Sequence, residues 1–320
     1  MNFRASNTML FLTATTIWGS TWLAITYQLG TVSPEVSVAY RFALAAMILA
    51  LWCKASGASL RFPLHEHRFL VGIGVTFFGL NYVGVYWAER FIPSGLVAVL
   101  FSTIVFTSAI GMRLAFGTPL TLRTLAAATL GVSGVALLFL PELEAARQGG
   151  NAALGVAIAL GATLTATVGN VIAVRNHKHG LPIFPATAWG MAYGALAAAL
   201  VAAVSDVPWT FDPRPSYVLS LLYLAVVGSV VAFGAYLTLL KRVGAGPASF
   251  VGISTPVLAM LLSTLVDGYR WTSIAVLGVV LAVIGNWMAL WPSRANQPPA
   301  LLEPGAAPGD SVTRTAGSRR

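Results

Sequence analysis

Apolar residues in this chain come in long unbroken blocks, with polar residues confined mostly to the short gaps between them. The blocks lie at roughly 8–28, 35–52, 69–88, 94–114, 122–140, 152–174, 183–205, 217–240, 246–266 and 272–291. A helix needs about 20 apolar residues to cross a bilayer, and each block is close to that length. The gaps carry turn punctuation: Ser33-Pro34, Ile92-Pro93-Ser94, Gly117-Thr118-Pro119, Gly180-Leu181-Pro182 and Gly244-Ala245-Gly246-Pro247. The pattern predicts an all-α polytopic membrane protein of ten transmembrane helices, with no gap long enough for a soluble domain. The first block starts soon after Arg4, is longer than a signal-peptide core and has no A-x-A site behind it. It is therefore expected to stay as the first span.

The basic residues follow this alternation. Fourteen of the 19 lysines and arginines fall at one side of the ten-span arrangement, among them Lys54, Arg61, Arg113, Arg175 and Lys241. Four fall at the other (Arg90, Arg147, Arg214 and Arg270), and Arg41 lies inside a span. Lysine and arginine excess marks the cytoplasmic side, so both termini are expected there. After Trp291 the chain turns to proline, alanine and glycine with few aliphatics, which predicts a disordered cytoplasmic tail over 292–320.

Composition narrows the function classes. With 57% hydrophobic and 9% charged residues, too little polar surface exists to cover a soluble core, so lipid is the solvent. A net charge of +9 might suggest nucleic acid, but the basic residues form no stripe. The single cysteine, Cys53, cannot make an internal disulfide.

A shift of about 150 residues overlays similar segments. Tyr82–Trp87 falls on Ala232–Leu237, Phe101–Phe106 on Ile253–Leu258, and Ala39–Ala46 on Ala188–Ala195. The predicted repeats are 8–141 and 152–291, with 1–7 a short cytoplasmic N-terminus and 142–151 an external linker. Five spans per repeat is an odd number, so the second copy must enter the membrane inverted. Inverted repeats are typical of secondary transporters, whose halves open to either side of a midplane site.

WGST at Trp18 to Thr21, Ser33-Pro34 followed by AYR at Ala39 to Arg41, and the two five-span halves together resemble the drug/metabolite transporter superfamily, specifically the EamA-type transporters. The resemblance covers about residues 8–291. It implies ten helices around a central cavity and movement of small metabolites, often outward, across the inner membrane. Relatives often carry a proline where the fourth span reads STIV, whereas the ninth keeps Pro256 in STPV as a helix kink, so the halves are expected to hinge unequally.

Candidate cavity residues follow from placement. On a 100° helical wheel Thr15, Trp18, Trp22 and Ile25 share one face, beside a face with Thr16, Gly19, Ser20 and Leu23. Small residues admit a neighbouring helix. The tryptophan face needs a partner for its indole N–H groups, either a central cavity or a backbone carbonyl across a helix contact. Arg41 is either an anion-facing or gating residue, pairing with a substrate carboxylate or Glu89, or a structural arginine snorkelling outward. Asn81, Tyr82 and Tyr86 on the third span and Tyr236 on the eighth add polar and aromatic groups. Ser102 and Thr103, with Ser254 and Thr255, place paired hydroxyls on repeat-related helices; these either face the cavity or bond back to their own helix. Asn170 aligns near Ser20, and Trp189 near Tyr40.

All four histidines, in HEH (65–67) and HKH (177–179), are expected in cytoplasmic loops, so no enzyme site, metal site or cofactor is expected. Glu35, Glu89 and Asp267 fall at the outer ends of spans; Glu89 is the candidate for proton coupling or gating. The expected partners are a small-molecule substrate and the bilayer, with a second copy of the chain as a candidate partner. The alternatives are a passive channel or facilitator and a non-transporting membrane assembly factor.

Overall fold

A computed structural model describes residues 6–138, 151–243, 248 and 250–290. The expected linker, the Gly244–Pro247 break and the C-terminal tail lie largely or wholly outside the described residues. Among those described there are helices and no strands. They are α1 (Asn7–Thr26), α2 (Pro34–Ala55), α3 (Leu64–Ala88), α4 (Ser94–Phe116), α5 (Leu122–Leu138), α6 (Ala152–Lys178) and α7 (Ile183–Val204). The next, α8, runs through Pro215–Leu222, Tyr223–Val231 and Ala232–Val243, followed by α9 (Phe250–Val266) and α10 (Ser273–Leu290). Seven of these (α1 to α4 and α6 to α8) contain apolar helix long enough to cross a membrane, while α5, α9 and α10 are shorter apolar helices.

Local chemistry sets the ends. The Ser6 hydroxyl caps α1 by accepting from the Met9 N–H at 3.1 Å. Pro34 and Pro215 occupy first-turn positions, where a missing N–H costs nothing. Gly117 closes α4 in a left-handed conformation with φ 69°. Two expectations need correction. The helix α3 begins at Leu64, so His65 and His67 sit in its first turn rather than in a loop. His177 likewise sits in the last turn of α6, which runs on to Lys178. The reason is that Glu66 suits a helix N-terminus and Arg175 a C-terminus, and the two pair across α3 and α6.

Two features have no signature in apolar periodicity. Gly74–Leu80 in α3 and Tyr223–Val231 in α8 are π-helical, with one extra residue per turn. The N–H of Asn81 donates to Thr76 O and that of Ala232 to Val227 O, each five residues back. In α4 the helix breaks at Ser102-Thr103, whose hydroxyls donate to Val99 O (2.7 Å) and Leu100 O (2.6 Å). In contrast, α9 continues as α-helix through Pro256. The break thus falls in the span without the proline.

Helix packing is pairwise. The helix α2 packs against α7, α5 against α10 and α4 against α9, while α1 contacts α8 and α9, and α6 contacts α3 and α4. In lipid, association rests on close van der Waals fit, which small residues permit. The α5–α10 contact is the tightest case. A Cβ added at Gly134 would come 2.5 Å from Gly278 O and Ala282 N, and one at Gly285 would come 2.6 Å from Gly131 N. Gly134→Leu should therefore cost about 1–3 kcal/mol by overpacking and lower the thermal midpoint of the purified protein. Gly161→Leu, which faces open space on α6, should leave the midpoint unchanged; equal effects of the two would refute this account of the interface.

Candidate functional site

Between α1, α3 and α4 is a cavity of about 40 Å³ lined by Thr21, Trp22, Ile25, Asn81, Tyr82, Val85 and Phe101. That holds a water or two, well short of the several hundred cubic ångströms of a metabolite pocket. Trp22 packs on Phe101 with ring centroids 5.4 Å apart, and Tyr82 packs edge-on to Phe42 at 4.8 Å. The Asn81 amide donates to Phe77 O at 3.0 Å, inside the π-helical segment, leaving its own oxygen buried and unpartnered.

Arg41 borders this cavity. Its guanidinium carbon lies 4.6 Å from the centroid of the Tyr82 ring and 5.1 Å from that of Phe42. A Cβ placed on Gly228 would lie 3.8 Å from Arg41 Nη2 and 2.9 Å from Thr21 Cγ2, so the arginine and a cavity-lining residue meet at that glycine. Acidic and polar groups gather beyond it, at the end that holds the α1–α2 turn. Glu35 accepts from Trp87 Nε1 at 2.6 Å, and Tyr86 donates to Gln28 Oε1 at 2.7 Å. Glu89 is buried with both carboxylate oxygens unpartnered, within electrostatic reach of Arg41 and Asp267. Asp267 in turn accepts from the Ser94 N–H, the Ser94 hydroxyl and the Ser263 hydroxyl, tying α4 to α9.

Of the residues the sequence marked, Trp22, Asn81 and Tyr82 line the cavity, Arg41 borders it and Tyr86 lies just beyond. The others are placed elsewhere. Trp18 is wedged against α8, its Nε1 donating to Gly228 O at 3.2 Å and its ring touching Phe233 and Tyr236. Ser20 bonds Tyr223 at 2.7 Å and its own helix carbonyls. Thr255 bonds back to Val251 O, and Ser254 sits beside it on α9 away from the cavity lining. The Asn170 amide reaches Ser108 at 3.3 Å, between α6 and α4. Sequence reasoning did not single out Phe101, Val85 or Gly228. Nothing in an apolar block distinguishes a cavity wall from a packed face.

Tyr40 and Trp189 lie at opposite ends of the antiparallel α2–α7 pair. The Tyr40 hydroxyl donates to Thr210 O at 3.2 Å, holding the loop before α8. Trp189 Nε1 donates to Leu60 O at 2.9 Å, holding the loop before α3. Around Tyr40, Tyr217 bonds Ser37 at 3.0 Å and Arg214 donates to Thr31 Oγ1 at 3.0 Å. The Arg214 guanidinium also holds the Asp212 carboxyl below the usual carboxylate range, so this turn stays ion-paired at neutral pH and loosens only in acid. Around Trp189, His67 bonds Tyr193 at 2.8 Å, and Arg175 pairs with Glu66 while lying over Phe69.

Comparison with known proteins decides the family. The model of the EamA-like transporter family matches twice, over residues 6–140 and 153–291. The chain belongs to the EamA-like transporter family. It is thus a membrane transporter of the drug/metabolite type, working in a lipid bilayer on a small-molecule substrate. It is 27% identical over 306 residues to the uncharacterized inner membrane transporter YedA of Escherichia coli K12, covering 90% of this chain and 93% of that one. It is 23% identical over 294 residues to protein PagO of Salmonella typhimurium LT2, with the same coverage. A probable amino-acid metabolite efflux pump of Escherichia coli K12 is 24% identical over 288 residues, covering 88% of this chain and 93% of that one. A solved crystal structure with 21% identity overlays with a TM-score of 0.63, covering 89% of this chain and 96% of that one, which supports the fold.

Trp18→Phe keeps the ring contacts of this EamA-like transporter and removes one hydrogen bond to the π-helical turn. The expected result is a lower thermal midpoint, corresponding to about 1 kcal/mol, with unchanged substrate selectivity. A selectivity change would instead put the indole N–H in contact with cargo.

Proposed function

We propose that this protein is a secondary transporter that exports small organic metabolites across the bacterial inner membrane by alternating access. In this reading ten helices cross the membrane as two inverted five-helix repeats, 8–141 and 152–291, with both termini in the cytoplasm. The observation that carries the reading is the pair of end closures. Tyr40 and Trp189 are 149 positions apart, and their acceptors Leu60 and Thr210 are 150 apart. The same aromatic-to-loop hydrogen bond therefore recurs once per repeat, at opposite ends of the α2–α7 pair. A carrier must close one end before opening the other, and a cavity this small, with both such latches formed, fits the occluded stage of that cycle.

Further support comes from the main helix contacts, several of which recur when each helix is exchanged with the one five places on. Under that exchange α1 with α8 becomes α6 with α3, and α1 with α9 becomes α6 with α4, while α2–α7, α4–α9 and α5–α10 map onto themselves. The π-helical segments in α3 and α8 obey the same rule, and so does the double family match. Outward export and an amino-acid-like cargo are suggested by the relative named as an amino-acid metabolite efflux pump. The excess of basic residues assigns the Trp189 latch to the cytoplasmic side and the Tyr40 latch to the outer side. Glu89, buried beneath the Tyr40 end, is the candidate coupling or gating carboxylate.

The test is counterflow of labelled amino acids, nucleobases, sugars and organic cations in proteoliposomes. It is combined with membrane-impermeant labelling of single cysteines placed at either end, in a Cys53→Ala background. Tyr40→Phe should raise labelling at the outer end and Trp189→Phe at the inner end, each by several-fold, while saturable exchange continues. Flux that neither saturates nor exchanges would make the protein a passive channel. Simultaneous opening of both ends by one substitution would overturn the latch assignment.

A further inference from the structure

Arg41 is 2% exposed, and both Nε and Nη1 are buried without a hydrogen-bond partner. Among the described residues no carboxylate lies within 4.0 Å of it. A charge taken out of water is costly unless paired and hydrogen-bonded; Arg41 interacts with the Tyr86 side chain, which leaves its Nε and Nη1 donors for another acceptor. Aromatic rings hold the guanidinium in place from the α2 and α3 sides, and Gly228 gives it room against α8. Glu89 supplies compensating charge from a distance, yet its own oxygens are also unpartnered, so the two groups do not satisfy each other.

We infer that Arg41 is the docking residue for the carboxylate of a small organic acid whose apolar or aromatic body occupies the space between Trp22, Tyr82 and Phe101. This rests on the transporter reading and narrows its cargo. A guanidinium takes a carboxylate or a phosphate through paired N–H donors. The charge balance selects the carboxylate. A carboxylate adds one negative charge near buried Glu35 and Glu89, whereas a phosphate dianion would add two. The unpartnered Asn81 oxygen on the cavity wall offers an acceptor for an N–H or ammonium group on the same molecule. At about 40 Å³ the cavity must widen to admit such a molecule, and the closed latches at both ends indicate where the widening starts.

Binding is read without transport, so that its failure is separable from failure of the transport reading. The purified full-length protein is heated with three acids and their neutral amides: 3-phenylpropionate and 3-phenylpropanamide, phenylalanine and phenylalaninamide, leucine and leucinamide. At least one acid should raise the thermal midpoint at ~tenfold lower concentration than its amide. Arg41→Gln should abolish that discrimination, and Arg41→Lys should retain it with weaker affinity, since lysine keeps the charge but not the planar fork. Two outcomes overturn the inference: no acid preferred over its amide by the native protein, or discrimination preserved in Arg41→Gln. If Arg41→Gln does not fold, the native panel and Arg41→Lys decide, because a purely structural arginine predicts no acid preference in either. Loss of counterflow with acid preference intact would count against transport alone.

Discussion

Lipid offers a peptide group nothing to bond to, and the rest of this structure is arranged around that constraint. Each span must satisfy its own carbonyls and N–H groups, which is why the described chain is helical throughout its apolar blocks. Wherever the helix departs from regular α-geometry, a side chain takes up the carbonyl concerned or one nearby. Trp18 bonds Gly228 O and Asn81 bonds Phe77 O in the two π-helical turns, while Ser102 and Thr103 bond Val99 O and Leu100 O at the break in α4. Irregular backbone at this depth is tolerable only where protein surrounds it, and these departures face protein neighbours.

The same solvent removes the hydrophobic drive between helices, so closeness has to come from size. Glycines bring α5 onto α10, and Gly74 and Gly194 let α3 and α7 approach to backbone contact. The Tyr40 and Trp189 hydrogen bonds, in contrast, hold loops rather than helix faces.

Within this apolar frame Arg41 is the exceptional group. It carries a full charge among aromatic rings, with acidic neighbours close enough to offset its field but not to bind it. The cluster of Glu35, Glu89, Asp267, Tyr86 and Gln28 lies toward the end where the Tyr40 hydroxyl bonds Thr210 O.

Block length and punctuation were enough to read ten apolar segments, their approximate limits, the alternation of basic residues and the repeat near 150 residues. These properties depend on transfer from water to lipid and on local turn chemistry, both of which act on contiguous residues. The presence of Arg41 and Asn81 inside spans was also legible, because a charge or amide there is costly wherever it faces. What only the tertiary structure decided was direction. Trp18 and Trp22 share a helical face, yet one bonds a carbonyl of α8 and the other lines the cavity, because different helices lie opposite them. Tyr40 and Trp189 lie outside the Trp22–Tyr82 cavity for the same reason: their partners, Thr210 O and Leu60 O, are backbone atoms about 130 to 170 residues away in the chain. A hydrogen bond to a distant carbonyl leaves no trace in composition or periodicity, since every residue type supplies the same acceptor.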